Sequence, residues 1–366
     1  MTIVCTQAQR TVRPSFRLLL RPGVIDALRS DYSAHQFRND VFGGITAAVV
    51  ALPLALAFGV ASGAGPIAGL YGAIATGFFA SLFGGTPVQV TGPTGPMTVV
   101  MGAVVASHSD SLPEAFAIVM LGGLIQMVFG FLRVGRYVAY TPVSVVSGFM
   151  SGIGVIIMLM QALPFLGVEA SANGVVGVLQ TLLAIDPATI DLGALLLATA
   201  MLALLVFWPA RIAKIIPSPL GVLVVGTGVA IFALPNLAVI GVVPSALPSV
   251  SMPAIDVDHI PQLLQPAFIL ALLGSIDSLL TSLVADSLTK TQHDSDKELV
   301  GQGLGNLVAG LVGAIPGAGA TMRTVVNIRA GGRTAISGVL HSLILLCVAL
   351  GLGSVVAHVP YAVLAA

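Results

Sequence analysis

The stretch GAIPGAGATMRTVV, residues 313–326, joins a segment rich in glycine and proline to a short apolar helix predicted over 321–330. A second stretch of this kind, GGTPVQVTGPTGPMTVV at residues 84–100, leads into a helix predicted over 96–107. A helix that crosses a bilayer needs about 20 residues, so neither helix crosses alone. We therefore expect two half-helices that complete their crossings with irregular backbone, which is tolerated only beside protein or a water-filled cavity.

The composition of the whole chain indicates a membrane protein in contact with lipid. The 366 residues are 56% hydrophobic and 8% charged, with a mean hydropathy of +1.02, whereas soluble domains are roughly 25% charged. The net charge of zero and the lack of a basic, aromatic-rich patch argue against a nucleic-acid partner. The sequence offers neither a nucleophile beside a base nor a phosphate-binding loop, so we expect no enzymatic activity and no cofactor.

The apolar runs predict an all-α polytopic membrane protein. The predicted domains are a cytoplasmic N-terminal tail (1–39), a first transmembrane repeat (40–234), an extracytoplasmic loop (235–263) and a second transmembrane repeat (264–366). Hydropathy places the spans at 42–61, 66–83, 96–107, 115–132, 142–163, 189–208, 219–234, 264–286, 298–314, 321–330 and 335–357, with a further span beginning near 359.

Charge placement predicts the orientation of these spans. With a cytoplasmic N-terminus, the basic residues of the connections fall on one side of the membrane and the opposite connections carry only acidic residues, as the positive-inside rule requires. We expect a multi-pass protein of the plasma (inner) membrane. The basic residues in these connections are Arg133, Arg136, Arg211, Lys214, Lys290, Lys297, Arg329 and Arg333.

The order of the spans reveals an internal repeat. A span containing Pro53 is followed by a glycine-rich span and then by TGPMTVV at 94–100, while a span containing Asp277 is followed by a glycine-rich span and TMRTVV at 321–326. Seven spans per unit make the second unit inverted relative to the first. We expect an inverted seven-plus-seven repeat whose second unit ends early in this chain. Such repeats with paired broken helices are typical of secondary transporters.

Asp277 lies inside an apolar span, where a charge is costly unless it faces a cavity or a partner. We expect Asp277 to bind a cation, either Na⁺ or H⁺. Thr281 follows four residues later and shares its helix face, so it adds a hydroxyl oxygen of the kind that Na⁺ prefers. Ser278, one residue on from Asp277, is predicted to point elsewhere. The alternative for Asp277 is a structural ion pair with Arg323.

The starts of the two half-helices predict an anion site. Thr94 and Thr321 occupy predicted capping positions, and Pro96 lies in the first turn of the first half-helix. Helix N-termini leave N–H groups unsatisfied and carry the positive end of the helix dipole, so two of them at the midplane attract an anion. Arg323, in the first turn of the second half-helix, strengthens that attraction. The alternative is that the breaks are packing kinks.

Three further motifs predict structure rather than chemistry. The glycines of GQGLGN at 301–306 indicate close helix packing, because no strand precedes them as in a nucleotide-binding loop. TQHDSDKE at 291–298 is interpreted as a solvated charge cluster that caps the next helix. His341 is interpreted as a hydrogen-bonded core residue, with a role in proton transfer left open.

Four motifs carry a family resemblance: DVFGGITAAVVALPLALAFGVASG at 40–63, TGPTGPMTVV at 91–100, IDSLLTSLVADSLT at 276–289 and GQGLGNLVAGLVGAIPGAGATMRTVVNIRAGGRTAISGV at 301–339. Together they resemble the SulP family of inorganic anion transporters, and most closely its cyanobacterial bicarbonate transporter branch. The resemblance implies a core domain of spans 1–4 and 8–11, a gate domain of spans 5–7 and 12–14, and an elevator-like movement of the core against the gate. It also implies a homodimer and a cytoplasmic STAS domain after the last span.

The resemblance also implies site residues. Sodium would lie at Asp277 and Thr281, with Thr321 contributing, and the anion would lie between the half-helix starts. The anion contacts carried over from the family are Thr94, Gly95 and Ala320. Arg323 departs from the bicarbonate branch, which has a small residue there, and an added cation favours a divalent anion.

The expected function is secondary active anion transport, with Na⁺-coupled bicarbonate symport as the leading hypothesis. The alternative is transport of sulfate or a C4-dicarboxylate, coupled to H⁺ or Na⁺. Hypotheses of another class are an anion channel, which passes ions much faster than an alternating-access carrier, and a structural fragment that does not transport.

Overall fold

The computed structural model describes residues 22–23, 32–108, 111–140, 143–168, 174–213, 218–241, 250, 260–351, 353 and 357–366. The described part of the chain is mostly helical. Its α-helices are α1 (Ala34–Ala61), α2 (Pro66–Phe83), α3 (Gly95–Ser107), α4 (Leu112–Phe131), α5 (Val143–Phe165), α6 (Gly174–Leu183), α7 (Leu192–Val206), α8 (Ala210–Ala213), α9 (Ser218–Ala233), α10 (Ile260–Thr289), α11 (Ser295–Leu311), α12 (Thr321–Ala330), α13 (Ala335–Gly351) and α14 (Tyr361–Ala365).

The expected half-helices are present. α3 has 13 residues and α12 has 10, and a two-residue strand comes shortly before each of them. The strands β1 (Thr91–Gly92) and β2 (Ala318–Gly319) pair antiparallel, with Thr91 opposite Gly319 and Gly92 opposite Ala318. The two broken spans therefore meet with opposite chain directions, as an inverted repeat requires.

Four described helices, α1, α2, α4 and most of α10, are long and apolar enough to span a membrane. A fifth span results if α12 and α13 count as one broken span, because their axes are bent by 109° at the short break between them. Shorter apolar helices in the described part of the chain include α3, α7 and α9. These lengths agree with a polytopic membrane protein.

Two helices begin earlier than the sequence predicted, and one helix was not predicted. α1 begins at Ala34, inside the predicted tail, because Ser33 and Gln36 form a capping box with reciprocal bonds. α10 begins at Ile260, inside the predicted loop 235–263, most of which lies outside the described residues. α6 was not predicted at all, since its ten apolar residues are too few to be read as a span.

The helices form two bundles that share apolar contacts. The first bundle contains α1–α4 and α10–α13, in which α11 packs closely on α2 and α4. The second bundle contains α5, α7, α9 and α14, and it reaches the first mainly through α1 and α3. One apolar core lies inside the first bundle, and another joins α1, α2 and α13 to the second bundle.

The connections at one end of the first bundle are tied together by Asp40, which is fully buried. Its carboxylate accepts from the N–H groups of Arg333 (2.7 Å) and Thr334 (3.1 Å), and from the Tyr32 hydroxyl (2.7 Å). Burial, reinforced by the bond to Asp40, raises the pKa of Tyr32 above its ordinary value. This places the start of α1 beside the loop between α12 and α13, as expected of two connections on the same side of the membrane.

Glycines allow α4 and α11 to pack almost backbone to backbone. A Cβ atom at Gly303 would lie 2.6 Å from both the Gly123 carbonyl oxygen and the Met127 nitrogen, and one at Gly310 would lie 2.6 Å from the Met120 nitrogen. Real Cβ contacts are longer, and helix backbone atoms cannot move aside as a flexible side chain can. The glycines of GQGLGN therefore serve helix packing, as predicted.

This contact predicts that Gly303→Ala lowers the stability of the folded protein by about 1–3 kcal/mol, because it overpacks the helix crossing. Gly228→Ala on α9 is the matched control, since no described atom beyond the adjoining backbone of α9 lies within 4 Å of a Cβ built there. That control should be neutral or stabilise the protein by up to about 1 kcal/mol. Thermal unfolding of both variants in detergent checks the difference, and equal midpoints would contradict the crossing described here.

Candidate functional site

Side-chain amides hold the extended backbone that leads into each half-helix. We call residues 84–94 the first approach segment and residues 312–320 the second approach segment. Asn306 bonds both peptide groups of Gly317, donating to its carbonyl oxygen (3.0 Å) and accepting from its N–H (2.8 Å). Asn327 donates to the carbonyl oxygen of Val88 in the first approach segment (2.9 Å). These bonds replace the water that the backbone would otherwise need inside the bilayer.

The predicted cation residues lie where α10 passes the second half-helix. The Thr281 hydroxyl donates to the Gly319 carbonyl oxygen (2.8 Å) and contacts the Thr321 hydroxyl (2.7 Å). Asp277, one turn earlier on the same helix, is 3% exposed. Hydroxyl, carbonyl and carboxylate oxygens therefore gather on this face of α10, which is the donor set that a hard cation prefers.

The sequence predicted that Ser278 points away from this region, and this prediction is wrong. Its hydroxyl oxygen accepts a bond from the Gly319 N–H (3.0 Å). Ser278 and Thr281 together therefore hold both peptide groups of Gly319 against α10. The spacing of a regular helix identified the i+4 neighbour of Asp277, but it gave no sign that β2 would pass on the side where Ser278 lies.

Asp277 and Thr94 join the predicted cation and anion residues directly. The Thr94 hydroxyl donates to Asp277 Oδ2 at 2.7 Å, and both side chains are buried. Thr94 is the residue before α3, as predicted, but its hydroxyl makes no capping bond to the helix. A carboxylate on α10 thus contacts the residue that immediately precedes the first half-helix.

The start of each half-helix leaves backbone donors available. Thr98 and Thr324 make the first regular helical bonds, to the carbonyls of Thr94 and Ala320 respectively. The N–H groups of Gly95 and Met97 in α3 make no bond to another described residue, and neither do those of Thr321 and Met322 in α12. Pro96 has no N–H to donate. Each start therefore presents amide donors and the positive end of its helix dipole.

Thr321 is not the cap of the second half-helix. The residue before α12 is Ala320, whose N–H donates to the Val90 carbonyl oxygen (2.9 Å) and extends the pairing of the two approach segments. Thr321 is the first helical residue, and its hydroxyl turns to Thr281. The capping prediction was wrong because an alanine fills a capping position when neighbouring strands fix its backbone.

Arg323 points towards the first approach segment. Its guanidinium is 1% exposed, and its Nη2 donates to the Pro93 carbonyl oxygen (3.0 Å). Its Nη1 has no hydrogen-bond partner among the described residues, and a Cβ built on Gly92 would collide with it. The alternative of an ion pair with Asp277 is not found, because no described carboxylate oxygen lies within 4.0 Å of this guanidinium. The buried positive charge therefore lies beside the Pro93–Thr94 junction.

The predictions for TQHDSDKE at 291–298 are confirmed in part, and the burial predicted for His341 is confirmed. Asp294 caps α11 by accepting from the N–H groups of Asp296 and Lys297, as the solvated charge cluster predicted. Glu298 in the same motif is not solvated, because it is 1% exposed. His341 is fully buried with its Nδ1 3.5 Å from the Ser342 hydroxyl, as expected of a core residue.

Comparison with known proteins gives consistent matches over most of the chain. The sulfate permease family matches residues 37–366. Bicarbonate transporter BicA is 51% identical over 339 residues in Picosynechococcus sp. and 50% identical over 341 residues in Synechocystis sp., with 90% of this chain covered in both cases. The chain spans 60% of the length of each of these relatives.

A solved structure supports the fold. The transmembrane domain of a cyanobacterium bicarbonate transporter BicA superposes with a TM-score of 0.85 at 48% sequence identity. The match covers 91% of this chain and 87% of that one. The arrangement of half-helices described above is therefore similar to that of a solved membrane transporter domain.

The bonds of Thr281 predict that Thr281→Val lowers the stability of the folded protein by about 1–3 kcal/mol, because valine keeps the shape and leaves the Gly319 carbonyl without its donor. Thr281→Ser is the matched control, since it keeps the hydroxyl. Thermal unfolding in detergent without Na⁺ compares the two variants. A valine variant as stable as the serine variant would show that this hydroxyl does not hold the second approach segment.

Proposed function

The chain belongs to the sulfate permease family, and on that premise we propose that it carries bicarbonate across a membrane by secondary active transport coupled to Na⁺. The choice of anion is supported by two relatives named as bicarbonate transporters, to which the chain is 51% and 50% identical in sequence. Na⁺ coupling rests on the residues of this chain. The observation that carries the proposal is the direct bond between Thr94 and Asp277.

The cation site proposed for Na⁺ is built from oxygens on α10 and α12. It comprises the Asp277 carboxylate and the hydroxyls of Thr281 and Thr321, with the Gly319 carbonyl beside them. Na⁺ at this place neutralises a carboxylate that is 3% exposed and has no cationic partner among the described residues. Proton binding at Asp277 is the alternative, and it would use the carboxylate without needing either hydroxyl.

The anion site proposed for bicarbonate lies between the starts of α3 and α12. Its backbone donors come from Gly95 on one side and Thr321 on the other, with Thr94, Pro96 and Ala320 shaping the space around them. Bicarbonate is small, planar and singly charged, so a few amide donors and two helix dipoles suffice to hold it. Arg323 adds a positive charge close to this place.

Coupling follows from the single proton of the Thr94 hydroxyl. Without a cation that proton is committed to Asp277 Oδ2. Na⁺ competes for the lone pairs of the Asp277 carboxylate, which frees the Thr94 hydroxyl to donate to an anion at the start of α3. The positive charge of the bound cation attracts the anion as well, so each ligand favours binding of the other.

Transport requires that this site face each side of the membrane in turn. The first bundle holds the whole site and meets the second bundle along a largely apolar crevice, which suits an elevator-like sliding of one bundle against the other. Among the residues that line this crevice are Pro53 and Phe58 on α1, Met158 on α5 and Leu223 on α9. A homodimer in the plasma membrane with a cytoplasmic N-terminus completes the proposal.

Arg323 favours a second candidate function. Its Nη1 has no partner among the described residues, so the guanidinium retains a donor for an anion larger or more highly charged than bicarbonate. Sulfate and C4-dicarboxylates have such oxygens. Transport of one of these anions, coupled to H⁺ or Na⁺, would use the same half-helix starts.

The proposal predicts that Asp277→Asn lowers Na⁺-driven uptake of labelled bicarbonate by at least tenfold, because the amide cannot neutralise a bound cation. Uptake is measured in liposomes containing the full-length protein, with an inward gradient of either Na⁺ or choline. Asp286→Asn is the control on the same helix, since Asp286 bonds His293 at the far end of α10. Wild-type uptake that is indifferent to Na⁺ would contradict the coupling.

The same liposomes separate the two candidate anions. Unlabelled sulfate and fumarate should each inhibit bicarbonate uptake weakly if bicarbonate is the substrate. Faster uptake of labelled sulfate or fumarate than of bicarbonate would favour the second candidate function, and currents far above carrier rates would indicate a channel.

A further inference from the structure

Glu298 is a buried carboxylate outside the proposed ion sites, and its bonds join α11 to the first approach segment. It lies in the first turn of α11 and is 1% exposed. Its Oε2 accepts from the backbone N–H groups of Gly85 (2.9 Å) and Thr86 (2.8 Å). Its Oε1 accepts from the side-chain amides of Gln89 (2.8 Å) and Gln302 (2.7 Å). Four N–H donors thus converge on one carboxylate.

This arrangement is specific for an ionised carboxylate. All four partners present N–H groups, so a carboxylate satisfies each of them with its own lone pairs, whereas a carboxamide would turn an NH₂ group against a donor. The backbone around it has little room to move. A Cβ on Gly85 would collide with the Asp294 carbonyl oxygen, and a Cβ on Gly301 would lie 2.5 Å from the Gly84 nitrogen.

The bonds of Glu298 continue towards both ion sites. Gln302 also donates to the Thr91 hydroxyl (2.7 Å) in β1, three residues before Thr94. Gln89 accepts from the Ser282 hydroxyl (3.0 Å) on α10, next to Thr281. Glu298 is therefore two hydrogen bonds from β1, which leads into the first half-helix, and two from the helix that carries the cation residues.

We propose that Glu298 is a positioning residue that fixes the first approach segment against α10 and so sets Thr94 at bonding distance from Asp277. The approach segment has no helix of its own, and its path is determined by the groups that it bonds. Glu298 and its two glutamine partners hold it at Gly85, Thr86, Gln89 and Thr91. Removing the charge should let the segment shift and should misplace the start of α3.

The test compares Glu298→Gln with Glu298→Asp, and with Asp191→Asn as a control that keeps the N-terminal cap of α7 in the second bundle. Hydrogen exchange of the full-length protein in detergent reports the first approach segment without any transport. Glu298→Gln should speed exchange of residues 85–92 at least tenfold and leave α7 and α9 within twofold of wild type. Glu298→Asp should fall between, because it keeps the charge on a shorter side chain.

Transport kinetics supply the second readout, and this arm rests on the proposed function. Glu298→Gln should raise the bicarbonate KM at least tenfold with a smaller fall in maximal rate. Glu298→Asp should raise the KM by a smaller factor. If Glu298→Gln does not fold, Gln89→Met tests the same link by cutting the bond to Ser282, and it should speed exchange of residues 85–92 at least threefold.

Hydrogen exchange and transport kinetics test the positioning role and the proposed function separately. Wild-type protein that moves no bicarbonate, while Glu298→Gln speeds exchange as expected, would overturn the proposed function and leave Glu298 as the residue that positions the segment. Exchange of residues 85–92 within twofold of wild type in the Glu298→Gln variant, or in Gln89→Met if only that variant folds, would overturn the positioning role.

Discussion

Backbone that is neither helix nor sheet must find hydrogen-bond partners inside a bilayer, and the rest of this structure follows from that constraint. The two approach segments meet at mid-bundle, where they pair over only two residues each. Side chains form the remaining hydrogen bonds to this backbone: Asn306 bonds Gly317, and Asn327 bonds Val88. Ser278 and Thr281 bond Gly319. The proposed anion site rests on the amide donors at the starts of α3 and α12 that no described residue bonds.

The sequence predicted the features whose free-energy cost depends only on residues that are close together in the sequence. Glycine and proline clusters next to short apolar helices predicted both broken spans, because helix length and helix breaking depend on neighbouring residues alone. The charge of Asp277 was equally clear, since a carboxylate in an apolar span demands a reason. Its i+4 partner Thr281 followed from helix geometry, and the structure places its hydroxyl beside Gly319 and Thr321.

Residues were misjudged, or their contacts were left open, where the answer depends on distant chain segments. Ser278 faces β2, and Arg323 reaches Pro93, about 230 positions away in the sequence. Thr321 is displaced from the cap because strand pairing fixes Ala320 instead. Glu298 resembled a solvated charge because its motif is hydrophilic, yet its four donors include backbone groups more than 200 positions away. Periodicity and composition contain no information on such contacts.

The bond from Thr94 to Asp277 joins the proposed cation site to the proposed anion site, so the proposal requires that binding of the two ligands be linked. Linkage is reciprocal: if Na⁺ strengthens bicarbonate binding by some factor, bicarbonate must strengthen Na⁺ binding by the same factor. Calorimetric titration of the purified full-length protein measures both directions, with choline replacing Na⁺ and chloride replacing bicarbonate. We expect equal factors of about ten or more, and bicarbonate affinity that is the same in Na⁺ and choline would contradict a shared Asp277–Thr94 contact as the basis of coupling.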